Sequence, residues 1–148
     1  MHRAASIVLV FLASTAFAAP LDVPAQRRVI LTSGKWTPSP AEADAAYRCA
    51  QRFVAHPRVK EKYDLRQIVI IGQHAREYRV QFVGQYRKGK KVVLCNFFPI
   101  RFPEEKQDGF DYWRQQLVEV SDGGFWFWRI DYDPQSQSCD EFSSNGYT

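Results

Sequence analysis

The side chains that could do chemistry in this chain are three cysteines, three histidines and a run of oxygen-bearing residues near the C-terminus. That run, Asp131, Asp133, Gln135, Gln137, Asp140 and Glu141, offers an oxygen at almost every second position, as a calcium loop would. It departs from the EF-hand pattern twice: Ser136 stands where the invariant glycine belongs, and Phe142 where the bidentate glutamate belongs. A solvated turn is the expectation. His56 and His74 have no ligand spacing to each other or to a cysteine, so zinc is not indicated. There is no G-x-S-x-G elbow and no Cys/His signature of a thiol hydrolase. No metal and no cofactor is expected, and a hydrolase would need two carboxylates that only the fold could pair.

The cysteines take their meaning from the compartment. Residues 1–18 read as a signal peptide: His2 and Arg3 open it, Ile7 to Leu12 are apolar, and Ala16-Phe17-Ala18 fits the small-x-small rule, with cleavage after Ala18. The apolar run is too short to span a bilayer, so no membrane insertion is expected. Export to the periplasm or beyond lets disulfides persist. Cys49, Cys95 and Cys139 allow one intramolecular bond. Cys95 and Cys139 both lie in extended segments and are the expected pair, and the leftover thiol reads as a small buried apolar residue.

Taking eighteen residues from 148 leaves 130, the size of one domain over 19–148. Arg3 leaves with the leader, taking the net charge from +4 to +3. The charge is unevenly spread: Arg58 to Lys91 hold ten basic and three acidic residues, and Phe102 to Thr148 hold three basic and ten acidic. Such halves oppose each other and keep a chain soluble, or give a basic face to an acidic partner. Outside the cytoplasm nucleic acid is not an expected partner.

The elements that must position these residues begin with an entry arm, Leu21 to Thr37, which carries Pro24 and Gly34, is followed by Pro38 and shows little periodicity. Ser39-Pro40-Ala41-Glu42 is a capping box with proline at the first helical position. Ala43, Ala46, Tyr47, Ala50, Phe53 and Val54 then form one helical stripe, which His56-Pro57 stops. Leu65 to Ile71 is an apolar, β-branched run and reads as a strand. Residues 77–86 alternate: Tyr78, Val80, Phe82 and Tyr86 face one way, and Glu77, Arg79, Gln81 and Gln85 the other. Arg87 to Lys90 read as a hairpin turn, and Lys91 to Phe98, apolar on both faces, as a central strand. Residues 99–109 read as a loop or short helix. Trp113 to Val120 and Phe125 to Tyr132 then read as a hairpin around Asp122-Gly123-Gly124, and Ser138 to Phe142 as a last short strand. The sum is an α+β layout: one N-terminal amphipathic helix packed on an antiparallel sheet of about four to five strands.

Within F-W-F-W-R-I-D-Y-D, residues 125–133, period two sends Trp126, Trp128, Ile130 and Tyr132 to the face under the helix. A three-residue loop would set Val120 opposite Trp126 and Val118 opposite Trp128. Phe125 and Phe127 are left on the other face, either covered by the loop 99–112 or touching a partner. With Arg129 beside them, and Arg87 and Lys88 in the basic turn, they are the candidate contact residues.

The order of elements resembles the cystatin-like and NTF2-like folds, which host inhibitors, ligand binders and enzymes alike. The C-terminal half carries the pattern W…V-x-V-x-DGG…W-R-[IV]-x-[YF]-D…F…N-G-Y. Its residues here are Trp113, Val118, Val120, Asp122, Gly123, Gly124, Trp128, Arg129, Ile130, Tyr132, Asp133, Phe142, Asn145, Gly146 and Tyr147. This is similar to a set of small exported bacterial proteins of unestablished function, a resemblance that covers about half the chain and implies no catalytic residue. The expected function is a non-catalytic exported binding protein, an inhibitor or immunity-type factor acting on a protein partner. One alternative is a small apolar ligand held between helix and sheet by Tyr47, Phe53, Phe82 and Trp128. The other is a hydrolase with an unrecognised carboxylate site.

Overall fold

The computed structural model describes residues 20–56, 63–101 and 109–146. The leader expected at residues 1–18, with its expected cleavage site, lies outside the described residues. A mixed sheet of five strands, in the order β1-β2-β3-β4-β5, carries one long helix, and a shorter second helix packs on the first. The strands are β1 Arg28–Leu31, β2 Tyr78–Arg87, β3 Lys90–Pro99, β4 Trp128–Asp133 and β5 Ser138–Ser144. The helices are α1 Pro40–Ala55 and α2 Leu65–Gln73. The α+β class is as expected, but the helix is not the first element, and the sheet is not wholly antiparallel. Part of the entry arm forms β1, parallel to β2 with Arg28 opposite Val80 and Leu31 opposite Val83.

α1 begins and ends where its sequence says. The Ser39 side chain accepts from the Glu42 amide, and Glu42 accepts from the Ser39 amide. The helix stops at Ala55, with His56 as its C-cap. Its buried stripe, Ala43, Ala46, Tyr47, Ala50 and Val54, lies on Val80, Phe82, Val93, Cys95, Phe97, Trp128, Ile130 and Tyr132. Trp128 stacks on Phe97 with ring centroids 3.8 Å apart, and Tyr78 meets both rings edge-on. Aromatic pairs of this kind add roughly 0.5–1.5 kcal/mol to the burial of each ring.

Leu65 to Ile71 is a helix, not a strand. A short apolar run does not distinguish the two by periodicity. Asp64 caps it, accepting from the Arg66 amide, and Ile68, Ile71 and Gly72 are buried at the i, i+3, i+4 spacing of one helical face.

The β2–β3 hairpin turns on Lys88 and Gly89, both at positive φ, so a glycine fits the second position. β3 lies at the centre of the sheet, as its two apolar faces require. Gly84 in β2 lets the arm cross close by: a Cβ there would stand 2.0 Å from the Trp36 carbonyl oxygen.

The second expected hairpin is absent. Residues 113–120 form no strand and pair with no part of β4. Gly123 and Gly124 take left-handed conformations, and 124–126 make one 3-10 turn before β4 starts at Trp128. That turn ends the period-two alternation early, so Trp126 is half-buried while Trp128, Ile130 and Tyr132 face α1 as expected. Residues 113–118 instead run as a strap over the other sheet face. Gln81 and Asn96, opposite each other in β2 and β3, hold it there. The Gln81 amide donates to the carbonyls of Trp113 (2.5 Å) and Gln116 (2.7 Å) and accepts from Val118 N (2.9 Å) and Asn96 (2.9 Å). Asn96 also donates to the Val118 carbonyl at 2.9 Å. Two side-chain amides thus do for the strap what a neighbouring strand would do for its backbone.

The disulfide corrects another expectation. Cys49 of α1 pairs with Cys139 of β5, with Cα atoms 6.0 Å apart, and Cys95 is the buried free thiol. Cys95 points into the layer between sheet and helix, and burial pushes its thiol well above the ordinary range. No helix among the described residues is long and apolar enough to cross a membrane.

Candidate functional site

The candidate contact residues do not form one site. Phe127 is buried with Phe98, Trp113 and Val118, and Phe110 packs edge-on against it at 5.8 Å. Phe110, inside the segment 99–112 expected to cover it, and Trp113 and Val118 just after it lie over Phe127, one of the two outcomes its surplus position allowed. Phe125 is half-buried: its ring stacks on His74 at 4.9 Å, and its carbonyl accepts from the Tyr78 hydroxyl. Arg129 lies on the strap face, 4.0 Å from Glu119. Arg87 and Lys88 stand elsewhere, at the tip of the β2–β3 hairpin.

That tip gathers basic charge. Arg87, Lys88, Lys90 and Lys91 are all exposed, and Tyr86 is 48% exposed beside them. The register sets Arg87 directly opposite Lys90, and like charges so placed weaken a hairpin. Arg87 is partly offset by Asp131, at 2.9 Å. Asp131 itself is buried, and desolvation raises its pKa in spite of the guanidinium. Lys91 lies over the Trp36 ring at 5.0 Å, and the Trp36 indole donates to the Gln85 carbonyl. None of Lys88, Lys90 and Lys91 forms an ion pair among the described residues. Two acids that border the tip, Glu42 and Asp133, are engaged by backbone, and Asp133 also feels the charge of Lys90. Glu42 closes the capping box of α1, and Asp133 accepts from the amides of Gln135 and Ser136, which hold its pKa down. A shallow cleft of about 320 Å³ separates the two hairpin tips, lined by Glu42, Gly89, Lys90, Lys91, Asp133 and Pro134.

The acidic run does not converge. Asp131 pairs with Arg87, Asp133 caps its own turn, and Asp140 accepts from the Tyr63 hydroxyl at 2.6 Å. Among the described residues no group of three or more His, Cys, Asp and Glu side chains is placed to hold a metal ion. His74 is the C-cap of α2 and has an acidic partner that sequence reading missed: its Nδ1 meets the Glu77 carboxylate. Three-residue spacing across a turn was the available signal. The pair borders a cleft of about 760 Å³ with Asp22, Arg76, Gln51 and Leu21. No Ser, Thr or Cys stands among the described residues lining it, so the pair has no hydroxyl or thiol nucleophile beside it there.

Of the four residues expected to line a ligand pocket between helix and sheet, two are packed into the core region. Trp128 is fully buried, and Phe53 packs on Tyr63 and Phe142. Tyr47 and Phe82 do border a cavity, but it lies at the β1 edge of the sheet.

Comparison with family models, with curated proteins and with solved structures finds no match for this chain.

Proposed function

We propose that the chain is an exported, non-catalytic binding protein that holds an acidic protein partner through the tip of its β2–β3 hairpin. An inhibitor or immunity-type factor is the narrower form of this reading. The observation that carries it is the cationic tip: four basic side chains and an exposed tyrosine on a tight turn, with Glu42 and Asp133 engaged by backbone amides and Asp131 by Arg87. A hairpin gains nothing in stability from Arg87 facing Lys90, whereas an acidic partner would be attracted and oriented by them. The Cys49–Cys139 disulfide supports an oxidising compartment, in keeping with the leader read at residues 1–18. The likeness to cystatin-like and NTF2-like folds stays within this proposal and rests on one long helix lying across an antiparallel run of strands. Phe127 leaves the set of contact residues because it is core; Arg87 and Lys88 remain, joined by Tyr86, Lys90 and Lys91.

The test is retention of a partner from an envelope extract by the immobilised protein and by its Lys88→Glu/Lys90→Glu variant. The wild type should retain a protein that elutes with salt, and the variant should not, at an unchanged melting temperature. Equal retention by both, or none by the wild type, overturns the reading.

A further inference from the structure

A second site lies away from the hairpin tip, between the edge strand β1 and the first turns of α1. The cavity there measures about 370 Å³, within the range of roughly 300–1,000 Å³ usual for small-molecule sites. Its walls are Val29, Ile30, Ala43 and Phe82, with Pro40 and Ala25 at the rim. The helix supplies Pro40, Ala43 and Tyr47, which share one face at three- and four-residue spacing. The strand supplies Ile30, whose register partner is Phe82.

One cation faces this apolar groove. The Arg28 guanidinium lies flat on the Tyr47 ring, 3.6 Å from its centroid, and its Nε donates to the Val23 carbonyl at 2.8 Å. Tyr47 is fixed in turn: its hydroxyl accepts from the Val23 amide at 2.8 Å and donates to the Leu21 carbonyl at 3.2 Å. The guanidinium is therefore held by a ring beneath it, by the Tyr47 hydroxyl and by a carbonyl at Nε, and it has donors left over at its terminal nitrogens. Among the described residues it makes no ion pair. Asp44, the one acid in the lining, is engaged by Arg48 one helical turn on.

We infer that the groove between β1 and α1 binds a small monocarboxylic acid with an apolar tail, its carboxylate on Arg28 and its tail along Ile30, Ala43 and Phe82. A carboxylate matches the planar pair of terminal nitrogens in two parallel hydrogen bonds. A single guanidinium in an apolar setting balances one negative charge and leaves a dianion such as phosphate half-paired. The site is distinct from the cationic hairpin tip and does not depend on a protein partner.

The experiment is isothermal titration of the intact protein with octanoate and, separately, with octanol, both below their aggregation concentrations. Octanoate should bind with one-to-one stoichiometry, and octanol roughly tenfold or more weakly, because it lacks the charge-assisted bonds. Arg28→Gln should erase that difference, and Ala25→Trp, a change at an exposed rim position, should block both ligands at an unchanged melting temperature. The amide resonances that move on adding octanoate should fall within 25–30 and 40–47. Lys88→Glu/Lys90→Glu should leave octanoate binding as it is, which separates this site from the partner surface. Equal binding of octanoate and octanol by the wild type, no binding of octanoate, or binding that survives Ala25→Trp overturns the inference.

Discussion

Gln81 and Asn96 are the polar residues on which the strap face depends. Both are buried, at 0% and 4% exposure, and between them they satisfy an amide and three carbonyls of the strap. Gln81→Leu removes three of these bonds and the one from Asn96 to Gln81, and leaves buried donors and acceptors without partners, each costing about 1–3 kcal/mol. Urea unfolding should show a loss of about 3 kcal/mol, accompanied by a red shift of tryptophan emission as Trp113 loosens. Unchanged stability would mean that the strap is held by its apolar contacts alone. From sequence, Gln81 looked like the solvent side of an alternating strand; nothing local says that a non-sheet segment 32 residues later will cover it. Asp131 makes a second prediction. Its folded-state pKa lies above the unfolded one, so the native state binds the extra proton, and stability declines as pH rises through the window just above the ordinary carboxylate range. Asp131→Asn should flatten that decline: thermal melts at acidic and neutral pH should show the variant gaining on the wild type as pH rises. A wild type that gains on the variant over the same interval would contradict the assignment.

At the scale of elements, α1 was fully legible because its signals are local: a capping box, a proline at the first position and a His-Pro stop within one stretch of chain. α2 was not, because an isoleucine- and valine-rich run suits either element until its neighbours are known, although Asp64 as a cap was there to be read. β1 is four residues long and its parallel partner lies some fifty positions on, so its pairing leaves no local trace. The same holds for the disulfide. That α1 and β5 meet is a tertiary fact, and extended segments such as those of Cys95 and Cys139 gave no information on it. Cys49–Cys139 spans 90 residues and ties the last strand to the helix layer. Cys49→Ala/Cys139→Ala should cost about 2–5 kcal/mol, measured by denaturant unfolding. A cost below 1 kcal/mol would show that β5 is held by its pairing with β4 alone.

At the scale of the whole molecule, the opposed charge halves seen in the sequence become partly one structure. Arg87 of the basic stretch bonds Asp131 of the acidic one, while Lys88, Lys90 and Lys91 form no ion pair among the described residues, although Lys90 acts on Asp133 through its charge. The aromatic stretch resolves differently. Its tryptophan, isoleucine and tyrosine at 128, 130 and 132 fill the core under α1, and Phe127 fills the core under the strap, so the clue to binding moves from aromatics to charge. Sequence reading named Arg87 and Lys88 but not Lys90 and Lys91, because only the register shows which side chains gather at the turn. The central claim is that this tip attracts an acidic partner. Its most direct test is the dissociation constant of the captured partner, measured for the wild type and for Lys88→Glu/Lys90→Glu at 50 and 300 mM salt (on the order of two Debye regimes). Binding by the wild type should weaken at the higher salt, and the double reversal should weaken it by roughly tenfold or more at the lower. An affinity that responds to neither salt nor the reversal would contradict the claim.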